Sequence, residues 1–141
     1  MAVPALGSVG WFDPDTRCLL GSRCESCGTT SFPPELRWCR NPACASTSIV
    51  PADLGGTGSL WSFTTAEYRP PTPFMATDPY EPFVIAAVQL DETGIVAIGR
   101  AAGRTTVDGL RVGQRARLDV GVLFDVDGVD QLMWEWRVDD V

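Results

Sequence analysis

The second half of the chain carries short apolar segments that have the length and period of β-strands. Residues 83–90, FVIAAVQL, form a nearly continuous run of β-favouring side chains, and residues 95–100, IVAIGR, follow across the turn sequence DETG. Runs of this length that are separated by a short glycine-containing turn are typical of a β-hairpin. The pattern therefore predicts two adjacent antiparallel strands.

A second hairpin is predicted near the C-terminal end, where residues 115–126 and 131–138 flank the turn DGVD. Four apolar residues of its last strand share one face by the two-residue rule: Leu132, Trp134, Trp136 and Val138. A glycine-bearing segment, 55–68, adds a fifth strand, and we expect no helix apart from a short turn near the N-terminus. Five strands with short hairpins favour a small Greek-key barrel of the OB type, with a β-sandwich as the alternative.

Four cysteines in the first third of the chain form two pairs. Two residues separate Cys24 from Cys27, four separate Cys39 from Cys44, and Gly28 follows the first pair. Two turns that bring four thiolates to one point suit tetrahedral zinc, and a glycine there allows a positive φ. The segment is therefore predicted to be a zinc ribbon whose ligands are these four cysteines.

Other uses of the thiols are weaker alternatives. Disulfides are disfavoured in a cytosolic protein, and a thioredoxin-type pair would open a helix, whereas CESCGTTSFPPE is a turn followed by prolines. Iron remains an alternative metal, and the wider spacing of the second pair requires the residues RNPA to loop outward. Because four thiolates leave no position for water, the metal should be structural. The fifth cysteine, Cys18, is expected in the core.

Charge and composition narrow the choice of partners. The net charge is -7, from 18 acidic and 11 basic residues, and this opposes binding to nucleic acid. No apolar run is long enough to span a bilayer, and no signal peptide is evident, which predicts a cytoplasmic protein. The chain has no histidine and no lysine, so it lacks the usual catalytic bases.

Two further segments are candidates for contact with a ligand or partner. The proline-rich segment 69–82 is too long to be a simple turn between two strands. Arg100 and Arg104 lie close to glycines, and arginine suits the phosphates of coenzyme A, although solvated charges or salt bridges would explain them equally well. The five tryptophans exceed what a small barrel needs, so we expect exposed patches that include the C-terminal MWEWRV.

The order of these motifs resembles a known family. GSRCESCGTTSFPPE, two more cysteines, GTGSLWSFTT, PYEPFVIAAVQLDE and LRVGQRARL follow one another as in the family called domain of unknown function 35. In that family a rubredoxin-like zinc ribbon precedes an OB-fold. The resemblance covers essentially the whole chain and implies an arm over residues 1–17, a zinc ribbon over 18–54 and an OB-fold domain over 55–141.

The resemblance also implies a function. Members are small subunits, or C-terminal domains of acyl-CoA hydratases, that pair with thiolase-like enzymes, and the nearest resemblance is to domains that accompany an aldolase of bacterial steroid side-chain degradation. The expected role is a non-catalytic accessory subunit, in a heterotetramer with a thiolase-like aldolase that cleaves a β-hydroxyacyl-CoA. A free acyl-CoA or lipid carrier, and a subunit of a true thiolase, are the alternatives.

Overall fold

The computed structural model describes residues 2–4, 10–67, 82–102 and 107–139. The proline-rich segment up to residue 81 and Arg104 lie outside the described residues. Ten strands are described: β1 (Ala2–Pro4), β2 (Phe12–Asp13), β3 (Cys18–Cys24), β4 (Thr30–Ser31), β5 (Ile49–Asp53), β6 (Thr57–Ala66), β7 (Phe83–Leu90), β8 (Val96–Ala101), β9 (Arg115–Val126) and β10 (Val129–Val138). Among the described residues the one helical element is a single 3₁₀ turn, Val107–Gly109.

Five of the strands close into a barrel. The order around it is β6, β7, β8, β10, β9 and back to β6, with β8 and β10 parallel and the other neighbours antiparallel. This is the connectivity of an OB-fold, so the predicted barrel and both predicted hairpins are confirmed and the sandwich alternative is wrong. Strand β1 adds to the outside of the closed ring by pairing in parallel with β10.

The barrel interior is filled by the inward faces of these strands. Trp136 has no exposed surface, and its indole N–H donates to the Ala97 carbonyl at 3.1 Å. A Cβ atom at Gly99 would lie 2.9 Å from both Trp134 and Trp136, so a glycine is needed where these rings cross β8. Both tryptophans belong to the core, and the expectation that MWEWRV forms an exposed patch is therefore wrong.

The N-terminal ribbon is a small sheet built around β3. Strands β2, β4 and β5 all pair with β3 in antiparallel fashion. Because β2 lies before residue 18, this sheet extends across the predicted boundary between arm and ribbon. The division of the chain at residues 17 and 54 stays a prediction.

The ribbon and the barrel share one hydrophobic core. Leu19 and Leu54 of the ribbon are buried in the same cluster as the barrel side chains, and the ring of Phe12 packs edge-on against Trp134 with centroids 5.7 Å apart. Arg17 forms an ion pair with Asp119 of β9 at 3.3 Å. A change that unfolds the ribbon should therefore also expose part of the barrel core. No helix among the described residues has the length and apolar character needed to cross a membrane.

Candidate metal centre

The first cysteine pair lies in a turn that follows β3. The backbone N–H of Gly28 donates to the Cys24 carbonyl at 2.9 Å, and the Cys24 N–H donates to the Thr29 carbonyl at 2.9 Å. Gly28 has a φ of 79°, a conformation that favours glycine because residues with a Cβ are strained there. This turn places the thiols of Cys24 and Cys27 on the same side of the ribbon.

Asn41 stabilises the turn between the two cysteines of the second, more widely spaced pair. Its carbonyl accepts the Cys44 N–H at 2.9 Å, and its side-chain oxygen accepts the Ala43 N–H at 3.0 Å. Its own backbone N–H points at the Cys39 sulfur, at 3.4 Å. The four intervening residues thus form a turn held by one asparagine, and the unusual spacing does not separate the two thiols.

The four predicted ligand atoms lie together. All four sulfurs are within 4.8 Å of one another, with Cys24 and Cys44 at 3.8 Å and Cys27 and Cys39 at 3.6 Å. A tetrahedron with bonds of about 2.3 Å to zinc has sulfurs about 3.8 Å apart. A disulfide would bring two of them to about 2 Å, so the arrangement fits a metal ion and not a pair of disulfides.

The thiols do not ionise equally. The hydroxyl and backbone N–H of Thr29 lower the pKa of the Cys27 thiol to about 6 by hydrogen bonding to the thiolate. The backbone N–H of Asn41 also lowers the pKa of Cys39, but burial and the neighbouring thiols raise it to about 12. Four thiolates this close together repel one another, and a divalent cation between them would offset that repulsion.

The geometry is that of a closed structural site. Cys24 is buried, and sulfur occupies each of the four tetrahedral directions, so a zinc ion held here would have no open position for water or substrate. Cys18 lies outside this cluster and donates weakly to the Thr16 carbonyl, with a sulfur-to-oxygen distance of 3.6 Å. It is half-buried at the edge of β3, so the expectation that it belongs to the core is wrong.

Of the two arginines predicted to contact coenzyme A, only Arg100 can be described. Its guanidinium carbon lies 4.7 Å from the centre of the Phe83 ring, and its register partner on β10 is Glu135. Partial burial raises the pKa of the Glu135 carboxyl, and the charge of Arg100 opposes that rise. Arg100 is thus held on the barrel surface by a ring contact and a nearby carboxylate.

Replacing Glu135 with glutamine should stabilise the chain at neutral pH. The pKa of Glu135 is higher in the folded than in the unfolded state, so protonation of this carboxyl stabilises the folded chain at acid pH. That contribution to the free energy of unfolding is lost as the pH rises through the folded-state pKa. Glutamine stays uncharged, so the variant should melt at a slightly higher temperature at pH 7 and like the wild type near pH 4. Calorimetry at both pH values tests this, and a less stable variant at pH 7 would show that attraction to Arg100 outweighs burial.

Sequence reasoning expected exposed tryptophan patches but did not locate an apolar surface on the outside of the barrel. Trp61 is 58% exposed and Ile98 63% exposed, and both lie beside the outward residues of β7. One signal could have found it, because FVIAAVQL is apolar on both faces, whereas a strand with one solvated face normally alternates. The surface is a candidate for contact with another protein.

Fold and metal centre together define a class of protein, a zinc ribbon joined to an OB-fold barrel. The family model for the rubredoxin-like zinc ribbon domain of ChsH2 matches residues 15–50, and the model for the C-terminal OB-fold domain of ChsH2 matches residues 52–121. The chain therefore belongs to the ChsH2 family of paired zinc-ribbon and OB-fold domains, also called domain of unknown function 35.

Solved structures agree with this assignment. Five chains match, and one of them, from a structure described as "Ltp2-ChsH2(DUF35) aldolase", is 26% identical with a TM-score of 0.65. The match covers 98% of this chain and 98% of that one. No curated protein sequence matches the chain. The similar solved chain is thus a component of an aldolase complex.

Proposed function

We propose that the chain is a non-catalytic accessory subunit that binds and activates a thiolase-like aldolase. The observation that carries the proposal is its similarity, over nearly its whole length, to a component of the Ltp2-ChsH2 aldolase. Two further observations support the proposal. The chain has no histidine or lysine to act as a base or nucleophile, and a metal site saturated by four sulfurs supplies neither group. The reaction proposed for the complex is retro-aldol cleavage of a steroid side-chain β-hydroxyacyl-CoA.

The zinc and the acyl-CoA have separate proposed roles. Zinc held by Cys24, Cys27, Cys39 and Cys44 maintains the ribbon fold, since the donor set leaves no coordination site for substrate. Arg100 contributes a cation for a phosphate of coenzyme A, and its contact with Phe83 supports this by holding the guanidinium at the barrel surface. Arg104 is proposed for the same role on the sequence alone. We place the complex in the cytoplasm.

Binding is tested by mixing the chain with a thiolase-like aldolase of the kind found in the similar solved complex. We expect one complex with two copies of each protein, because thiolase-like enzymes are usually dimers. Size-exclusion chromatography with light scattering measures the mass directly, and the separate proteins provide the references. Separate elution of the two proteins at micromolar concentration would contradict the proposed function.

Single-stranded DNA and RNA should not bind to the chain. An OB-fold often binds nucleic acid, but this one carries a net charge of -7, and phosphate contacts supply most of the affinity of such complexes. Fluorescence anisotropy with labelled oligonucleotides near physiological salt measures the affinity. A dissociation constant at or below about 1 μM would make nucleic-acid binding the favoured function of the chain.

A further inference from the structure

The surface that Trp61 and Ile98 share runs across three barrel strands. Ser62 of β6, Ala87 of β7 and Ile98 of β8 are successive register partners, and Thr64, Ile85 and Arg100 form the next row. Directly paired residues present their side chains on the same face of a sheet. Because Ala86, which lies between the two rows on β7, and Ala97, which precedes Ile98 on β8, are buried, these two rows point outward.

A β-bulge places Trp61 beside these rows. Leu60 pairs with Val88 and Ser62 with Ala87, so Trp61 is the extra residue of β6 and has no register partner on β7. Bulges redirect a side chain locally and are frequent next to functional sites. The indole borders a shallow apolar depression, and we call this surface the outer barrel patch; it is lined by Trp61, Ser62, Phe63, Thr64, Ile85, Ala87 and Ile98.

The composition of the outer barrel patch suits a protein partner. None of its lining residues is charged, although the chain as a whole has a net charge of -7. Protein interfaces place an uncharged, aromatic-rich centre inside a polar rim, and tryptophan is enriched among the residues that dominate binding energy. Arg100, at the end of one row, provides a charge at the rim.

We infer that the outer barrel patch is the surface on which the thiolase-like aldolase docks, with the Trp61 ring as its main anchor. The inference rests on the proposed function, and it adds which face of the chain makes the contact. A heterologous partner fits this face better than a second copy, because two chains with a net charge of -7 repel each other. The similar solved chain also comes from a complex of two different proteins.

Two pairs of variants of the full chain test this assignment. Trp61→Ala and Ile98→Glu should each weaken binding to the aldolase by about 30-fold or more, because the first removes the aromatic anchor and the second places a charge in the apolar patch. Trp38→Ala and Val122→Glu are the matched controls, since Trp38 on the ribbon is 52% exposed and Val122 on the barrel is 54% exposed, both outside the patch. Binding is measured by titration calorimetry, with zinc content and circular dichroism to show that each variant is folded.

The outcomes separate this inference from the proposed function. If the wild-type chain binds no thiolase-like protein, the proposed function fails together with the inference. If the wild type binds but Trp61→Ala and Ile98→Glu bind equally well, only the inference is overturned. Loss of binding in Trp38→Ala alone would assign the contact to the ribbon. A wild-type homodimer that is dissociated by Ile98→Glu would assign the patch to a second copy of the chain. Either result overturns the inference.

Discussion

The thiolase-like aldolase should cleave its β-hydroxyacyl-CoA substrate about 100-fold faster with this chain than without it, since misplacing reacting groups by about 1 Å costs a factor of that order. The chain is proposed to hold the partner's site in its active form. It should release no ketone by itself, because it has neither histidine nor lysine to act as a base. Product formation from a steroid-type acyl-CoA is measured for each protein alone and for the pair.

The control for this assay is an equal concentration of serum albumin, which detects stabilisation of the aldolase by protein in general. Separate values of kcat and KM add a second readout. A lower kcat without this chain indicates a misplaced catalytic site, whereas a higher KM alone indicates a lost contribution to acyl-CoA binding. Full activity of the aldolase alone would show that the chain is not an activator and would favour the free carrier.

Cys24→Ser should unfold the ribbon and abolish partner binding at the same time. Cys24 is buried at the end of β3, and its sulfur lies 3.8 Å from that of Cys44. Structural zinc contributes an apparent free energy of roughly 10–16 kcal/mol, compared with about 5–15 kcal/mol for the stability of a whole domain. Since Leu19 and Leu54 of the ribbon belong to the shared core, loss of the metal should also loosen the barrel.

The measurements are elemental analysis, circular dichroism and pull-down with the aldolase. The wild type should contain one zinc per chain, and Cys18→Ser is the matched control because this fifth thiol lies outside the cluster. The control should keep its zinc, its fold and its partner. Less than about half an equivalent of zinc in the wild type, with free thiols, would contradict the metal site. A folded and bound Cys24→Ser variant that lacks only activity would point to a catalytic metal.

The elements that depend on local pattern could be predicted from the sequence. The runs at 83–90 and 95–100 are β7 and β8 to within one residue at each end, because length, residue type and a glycine-bearing turn all favour the same hairpin. The clustering of the four cysteines could be predicted because a zinc ribbon brings two cysteine pairs of short spacing to one point. Gly28 could be predicted because its positive φ is a local requirement of the turn.

Other features depend on contacts between distant residues. The sequence could not show that Trp136 fills the barrel while Trp61 stays at its surface, because both lie within predicted strands and burial depends on what packs against each ring. Register decides this, since a bulge of one residue in β6 reverses which side chains face the core. Nor could it show that Arg100 lies beside Phe83 and Glu135, which are 17 and 35 positions away along the chain.

The sequence by itself determined the type of each module, through cysteine spacing in the ribbon and strand length in the barrel. Only the tertiary structure decided how the modules join and which apolar residues remain for a partner. The reason is that zinc ligation and hairpin formation depend on residues close in sequence, whereas burial depends on which strands meet. Phe12 packs on Trp134 and Arg17 pairs with Asp119 because closure of the barrel brings β9 and β10 against the ribbon.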